Sequence, residues 1–242
     1  MKTDRLDKLL TARAAKRSLA RLTDLATGAE ALVVDGKAEG ELALDPALAA
    51  ALDAALEKER SQMFEDGQRR VFIQVLMPPL RLAIVGAGHI SQYLSTIAGE
   101  AGFEVTVIDP RTTYASAARF PRAKLNHDWP DEALEKMGLD RRSAVVTLSH
   151  DPKLDEPALA SALRSDAFYI GALGSRKTQA QRRERMKAQG FTDADLDRIH
   201  GPVGLDIGAL SPAEIAIAIV AQIIDVLRPK KKGISNQGRA VA

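Results

Sequence analysis

Residues 81–91 read Arg81-Leu82-Ala83-Ile84-Val85-Gly86-Ala87-Gly88-His89-Ile90-Ser91, an apolar run that breaks into closely spaced glycines. Leu82 to Val85 has the continuous apolar character of a strand buried on both faces. Gly86 suits a tight turn out of that strand, and Gly88 suits close approach of backbone to a pyrophosphate. A helix beginning there would aim its N-terminal N–H groups at the anion. Ile90, Tyr93, Leu94, Ile97, Ala98 and Ala101 recur at helical spacing, and Gly102 ends that helix. Val105, Val107 and Ile108 form the next strand, with Asp109 at its end, about twenty residues past Gly88 as a dinucleotide fingerprint asks. The third glycine of the usual string is replaced by Ser91, so the weight falls on the strand, helix and strand context.

Working outward, the chain from Arg81 onward alternates apolar strands with amphipathic helices, the pattern of a parallel sheet covered on both faces. Further strands are expected near Ala123 to Leu125, Ala144 to Leu148 and Ala167 to Ala172. Asp155-Glu156-Pro157 is expected to open a helix, with Asp155 as its cap. Ser211-Pro212-Ala213-Glu214 is a capping box with proline at the first helical position, opening a terminal helix that Pro229 stops. The expected class is α/β, a Rossmann-like doubly wound parallel sheet over residues 80–228 with a smaller N-terminal α+β domain over residues 1–79. In the smaller domain, helices are expected over Leu6 to Leu25 and Pro46 to Arg60. A hairpin is expected between them, pairing Ala31 to Val34 through Asp35-Gly36 with Leu42 to Leu44. Val71 to Leu76 is a third apolar stretch, and Met77-Pro78-Pro79 marks the boundary because proline cannot continue a sheet. Residues 229–242, with three consecutive lysines and no periodicity, read as a mobile basic tail.

Composition narrows the function classes. The chain has 242 residues, 45% hydrophobic and 27% charged, with a net charge of +2. Those are ordinary values for a globular protein, and so small a charge gives no reason to expect nucleic acid. With no cysteine, disulfides, zinc-thiolate sites, iron-sulfur clusters and a thiol nucleophile are excluded within these residues. No stretch approaches a membrane span and Lys2 to Lys8 is charged, so a cytoplasmic protein without a membrane role is expected. His89, His127, His150 and His200 are scattered rather than spaced on one helix face, so no metal site is assigned.

In an open parallel sheet, ligands bind beyond the carboxyl ends of the strands. Gly86 to Ser91 is the first such loop. Asp109-Pro110-Arg111 is the second: Asp109 would accept from ribose hydroxyls, while Arg111 either pairs with a phosphate or balances Asp109 at the surface. An arginine there would help a ligand with a 2′-phosphate, but the intact Asp109 argues for a free ribose. Ser149 to Asp155 is the third, where His150 is an acid or base, a metal ligand or a donor to phosphate, and Asp151 lies beside it. Gly171 to Thr178 is the fourth, in which Gly174 permits close approach and Ser175 and Arg176 are donors suited to an anion. Arg182, Arg183 and Arg185 follow on its helix and read as a solvated face. A fifth loop, Gly201 to Ala209, carries three glycines and Asp206, which either points into a site or fixes the turn through its own backbone.

Read together, these loops resemble the xanthine dehydrogenase accessory family, XdhC/CoxI. The resemblance lies in Gly86-Ala87-Gly88-His89, Asp109-Pro110-Arg111, Arg119-Phe120-Pro121, Ser149-His150-Asp151-Pro152, Tyr169 to Arg176 and Gly204 to Ala209, spanning about residues 78–227. It implies a maturation factor for molybdenum hydroxylases such as xanthine dehydrogenase. Such a factor binds molybdenum cofactor, as molybdopterin or its cytosine dinucleotide, protects it during sulfuration by a cysteine desulfurase, and helps insert it. It also implies a homodimer and a cofactor-binding chaperone rather than an enzyme. On this resemblance and on strand-end position, the cofactor-binding set is Gly86, Gly88, His89, Ser91, Asp109, Arg111, His150, Asp151, Gly174, Ser175, Arg176 and Asp206, with no catalytic residue assigned. One departure is the family's N-terminal Gly-Gly-Cys segment, absent from this cysteine-free chain, so any step that used that cysteine falls to other residues or to a partner.

Two other readings stand beside it. An NAD(P)-dependent oxidoreductase would use Gly86, Gly88 and Asp109, with His150 as acid or base. A non-catalytic scaffold would keep the fold and bind only the hydroxylase.

Overall fold

The computed structural model describes residues 3–15, 17–67 and 69–228; the basic tail lies outside them. The chain divides into two compact units, one ending at Pro79 and the other beginning at Leu80.

The N-terminal unit is an antiparallel sheet of order β3-β2-β1-β5-β4 with two helices. Its elements are α1 (Thr3–Ala14), β1 (Leu19–Asp24), β2 (Glu30–Val34), β3 (Lys37–Gly40), α2 (Pro46–Glu57), β4 (Gln62–Asp66) and β5 (Arg69–Leu76). Side chains alternate across the sheet. Leu19 and Leu32 join Ala12 of α1, while Ala20, Leu22, Ala31 and Val33 join Leu48 and Leu52 of α2.

The single helix expected over Leu6 to Leu25 is therefore wrong. The helix ends at Ala14, and Leu19–Asp24 becomes β1. β1 is the central strand, bonded to β2 on one side and β5 on the other, and that pairing overrides the helical preference of its Leu, Ala and Arg residues. The hairpin forms, but its return strand is Lys37–Gly40, not Leu42 to Leu44. Asp35 and Gly36 both have positive φ, 46° and 77°, as a two-residue turn of the I′ kind requires. Such a turn forces pairing at once, Val34 opposite Lys37. The edge strand β4 was not expected; most of its residues face solvent, so it lacks an apolar run.

The C-terminal unit is a six-stranded parallel sheet of order β11-β10-β9-β6-β7-β8. The strands are β6 (Leu80–Val85), β7 (Phe103–Ile108), β8 (Lys124–Asn126), β9 (Ser143–Thr147), β10 (Tyr169–Ala172) and β11 (Ile199–His200). The helices are α3 (His89–Glu100), α4 (Pro130–Met137), α5 (Pro152–Leu163), α6 (Arg176–Ala188), α7 (Asp193–Leu196) and α8 (Pro212–Leu227). Leu82 and Ile84 point into a core shared with α3 and α8, and Ala83 and Val85 into one shared with α4, α5 and α6. Burial on both faces is why these strands read as unbroken apolar runs. α8 opens on the expected capping box, Ser211 with Glu214. Among the described residues no helix is long and apolar enough to cross a membrane.

Numbered within this unit, the strand order is 3-2-1-4-5-6, that of the doubly wound dinucleotide folds. After β6 the chain runs outward through β7 and β8, then returns to place β9 on the other side of β6. In doubly wound sheets ligands bind beyond the carboxyl ends of the strands at such a switch point, here the ends of β6, β7 and β9, which is the crevice position of the fold.

Candidate functional site

The crevice begins at the glycine turn. Gly86 has φ +97°, and a Cβ on it would lie 2.7 Å from the backbone of Ser149. This glycine brings the loops after β6 and β9 together rather than making room for a ligand. Gly88 differs: its φ is −77°, and a Cβ there would meet nothing nearer than the Leu148 carbonyl at 4.0 Å. As N-cap of α3 it has no side chain to satisfy the first-turn N–H groups, which leaves them directed at the open space as an anion would require. His89 is exposed at the first helical position. Ser91 is fully buried and its hydroxyl donates to the Gly86 carbonyl, so it braces the turn from beneath.

Beside the turn, the end of β7 carries Asp109, 0% exposed. Its Oδ2 accepts from the Ala87 N–H and from Arg111 Nη2, each at 2.8 Å. Its Oδ1 accepts from the Arg111 N–H at 3.0 Å and Arg111 Nε at 2.8 Å. Burial works against its charge, but the Arg111 guanidinium and the two N–H groups outweigh it and hold the carboxyl below the ordinary range. Arg111 stacks on the Tyr114 ring, 4.7 Å from the centroid. Arg119 ties this loop to the turn, donating to the carbonyls of Ala87 at 2.9 Å and Tyr114 at 2.6 Å. Sequence reading put Arg119 in a motif without a role. Its cationic side chain at a glycine turn is the signal that would have drawn attention to it.

Across the crevice, the loop after β9 is organised by Asp155, and the expected roles of its aspartates are reversed. α5 begins at Pro152, and Asp151 is its N-cap, accepting from the Lys153 N–H. Asp155 does not cap. It is 1% exposed within the first turn, and its Oδ1 accepts from the Ser149 hydroxyl at 2.7 Å. Arg182 lies 3.6 Å from Asp155 Oδ2, which is buried without a hydrogen-bond partner among the described residues. Burial pushes the Asp155 carboxyl up and the Arg182 guanidinium down. Arg182 is therefore no part of a solvated face; it is 5% exposed and donates to Gln179 and to the Leu173 carbonyl. Between Ser149 and Asp151, His150 is exposed in the left-handed region at φ +61°. A non-glycine residue held there marks a turn imposed by its surroundings.

The other two loops contribute less. Ser175 is the N-cap of α6, accepting from Thr178, and Arg176 is exposed at the first helical position. Gly174 has φ +134° and packs against the Thr178 side chain. Gln179 links this loop to the next, donating to the Ala172 carbonyl at 2.8 Å while lying against Gly201. Asp206 is exposed and makes no hydrogen bond or ion pair among the described residues. Nor do any three His, Asp or Glu side chains among them converge as a metal site.

This sheet order, glycine turn and switch-point crevice define a Rossmann-type domain. The sequence model of the XdhC Rossmann domain matches residues 82–223, and the chain belongs to that family. It is 33% identical over 160 residues to a protein of Bacillus subtilis (strain 168) named as a probable subunit of xanthine dehydrogenase, covering 66% of this chain and 46% of that one. It is 26% identical over 149 residues to the molybdenum cofactor insertion chaperone PaoD of Escherichia coli (strain K12), covering 62% and 41%. A crystal structure described as a xanthine dehydrogenase from Bacillus halodurans superposes with a TM-score of 0.71 at 28% identity, over 96% of this chain and 66% of that one. The chain thus spans less than half the length of these curated relatives.

Proposed function

We propose that this protein is a maturation factor for molybdenum hydroxylases of the xanthine dehydrogenase type. In this reading it binds molybdenum cofactor, shields it during sulfuration and assists its insertion. The supporting observation is the open space over Gly88, where uncapped N–H groups of α3 face the crevice, in a chain whose relatives include a named cofactor insertion chaperone. A molybdopterin carries a phosphate and its cytosine dinucleotide a pyrophosphate, and either suits a helix N-terminus flanked by arginines. When bound, the cofactor supplies the molybdenum centre that the client hydroxylase needs.

The chain's own residues hold and orient. The first turn of α3 takes phosphate, Arg119 and Arg111 add positive charge, and His150 reaches the opposite side as a donor. His89, Gly174, Ser175, Arg176 and Asp206 remain in the proposed set on strand-end position alone. Ser91, Asp109 and Asp155 act through the turns they brace. With no cysteine in these 242 residues, no persulfide can form on them, so the sulfur comes from a cysteine desulfurase partner. A cytoplasmic homodimer engaging an apo-hydroxylase belongs to the same proposal.

The test is direct. Purified protein incubated with molybdenum cofactor is expected to retain it through gel filtration, and no retention at micromolar protein overturns the reading. Tight NAD binding by calorimetry, without cofactor retention, would move the assignment to an oxidoreductase.

A further inference from the structure

The long terminal helix leaves part of its apolar surface uncovered. α8 turns Ala216, Ile219, Val220 and Ile223 into the core it shares with α3 and β6. A second side carries Glu214, Ile217, Ala221, Ile224 and Arg228, spaced three and four residues apart so that they form one stripe. Ile217 is 51% exposed and Ile224 40%. The loop before the helix widens this surface. Gly204 lies against Ala218, and the Leu205 N–H donates to the Ala218 carbonyl, so the loop runs back along α8 to the cap at Ser211. Leu205, Ile207 and Leu210 are exposed on it, Leu210 to 88%. Single apolar side chains are ordinary on a surface, but a group gathered along one helix marks an interaction face.

The stripe is its own complement. Ala221 is at its middle, a small residue of the kind that lets two helices approach closely. Ile217 and Ile224 lie about one turn to either side of it, and Glu214 and Arg228 about two turns. Turned end for end, the stripe presents the same sizes in the same order with its charges exchanged. Across a two-fold axis through Ala221, Ile217 meets Ile224 of the partner subunit, and Glu214 meets Arg228 of the partner subunit. A parallel pairing would instead set acid beside acid and base beside base. The charged ends are available. Arg228 is exposed and makes no ion pair among the described residues. Glu214 closes the capping box through Oε2 and is exposed as well. Asp225 is exposed at the margin of the stripe, one residue round from Ile224.

We infer that two copies of this chain associate through antiparallel α8 helices, with Ala221 on the two-fold axis and the loop of residues 205–210 widening the interface at each end. This gives the homodimer proposed above its surface. It rests on that homodimer and not on cofactor binding.

With no cysteine in the chain, introduced thiols read the register directly. Helices packed about 8–10 Å apart, each with its Cα atoms about 2.3 Å from the axis, bring facing Cα atoms to roughly 3–5 Å, within disulfide reach. Ala221→Cys in the full chain is expected to form a covalent dimer on mild oxidation, seen on a non-reducing gel. Ile217→Cys and Ile224→Cys are each expected to cross-link poorly alone and well once the two proteins are mixed and exchanged. In sedimentation equilibrium the parent is expected to be a dimer at micromolar protein. Ile217→Glu is expected to raise the dimer Kd by about a hundredfold or more, with its circular dichroism unchanged. A parent that is monomeric at near-millimolar protein overturns the inference, even if it then binds an apo-hydroxylase through this face. So does a dimer that Ile217→Glu leaves intact, a missing Ala221→Cys cross-link, or Ile217→Cys cross-linking with itself in preference to the mixture. Cofactor retention in gel filtration is read separately. A dimer with the expected cross-links that retains no cofactor loses the cofactor reading alone, and a monomer that retains cofactor loses this inference alone.

Discussion

Two buried carboxylates flank the crevice, Asp109 at the end of β7 and Asp155 in the first turn of α5, and burial opposes charge on both. Their carboxyls nevertheless move in opposite directions. At Asp109, desolvation is outweighed by the Arg111 guanidinium and two backbone N–H groups, and the carboxyl falls below its ordinary 3.8. At Asp155, desolvation prevails over the Ser149 hydroxyl and over Arg182, which lies 3.6 Å away without a hydrogen bond, and the carboxyl rises above 3.8. Both are closed to solvent, but Asp155 is surrounded by more protein, so a larger desolvation and fewer well-aimed donors together set the opposite direction. One side of the crevice is pinned by a satisfied ion pair. The other carries a buried acid whose charge is under-compensated.

The strongest way to break this comparison is to remove the donors from Asp109. Arg111→Ala is expected to cost about 3 kcal/mol in urea unfolding at neutral pH, the low end for a buried charge left without its partner, because two backbone donors remain. A loss below about 1 kcal/mol would mean that those N–H groups suffice. The pH dependence follows from the sign of the shift. Asp109 has a folded value below its unfolded one, so its stabilisation is present above 3.8 and is lost as pH falls through the folded value. Asp109→Asn is expected to remove that acid limb from the stability profile.

Gly86 and Gly88 sharpen the contrast on the wall formed by β6. Gly86→Ala adds a Cβ at φ +97° within 2.7 Å of the Ser149 backbone, and about 3 kcal/mol of destabilisation is expected from combined strain and overpacking. Gly88→Leu places its Cβ in open space, with an expected change in stability within about 1 kcal/mol. The same variant should lose cofactor retention. If Gly88→Leu still retains cofactor, the crevice is not the cofactor site; if it still supports hydroxylase activity in cells without retaining cofactor, a scaffold bound only to the hydroxylase becomes the better reading.

The smallest expected effect is at Asp155. Its folded value is raised, so the stability it supplies is full below 3.8 and is lost as pH rises through the folded value. Asp155→Asn is expected to stay within about 1 kcal/mol of the parent at neutral pH and to flatten the profile above 3.8. A loss as large as that of Arg111→Ala would show that the pair with Arg182 matters more than its geometry suggests.

Much of the C-terminal unit was legible because a parallel sheet buried on both faces writes itself as apolar runs separated by helical periods. Leu82 to Val85, the helix after Gly88 and the capping box at Ser211 follow from local pattern alone. β1 was not legible: Leu19 to Asp24 has good helix formers, and only its neighbours β2 and β5 make it a strand. Asp151 and Asp155 were exchanged in role for a related reason. A capping residue is identified by where the helix begins, and Pro152 rather than Pro157 supplied that start. Arg182 looked like one of several cations on a surface helix, since nothing in its neighbourhood along the chain reveals a buried acid 27 residues earlier.

What the sequence determined by itself is the fold of the C-terminal unit and the place of its strand-end loops, since apolar period, turn glycines and caps act over a few residues and need no distant partner. Which groups in the crevice remain free for a ligand was decided by tertiary structure. Asp109 and Arg111 are two residues apart, yet Asp109 is saturated only because β6 brings the Ala87 N–H to 2.8 Å and the β7 turn folds Arg111 back upon it. Hydrogen-bond capacity is finite, and how it is spent depends on contacts that only the folded chain creates.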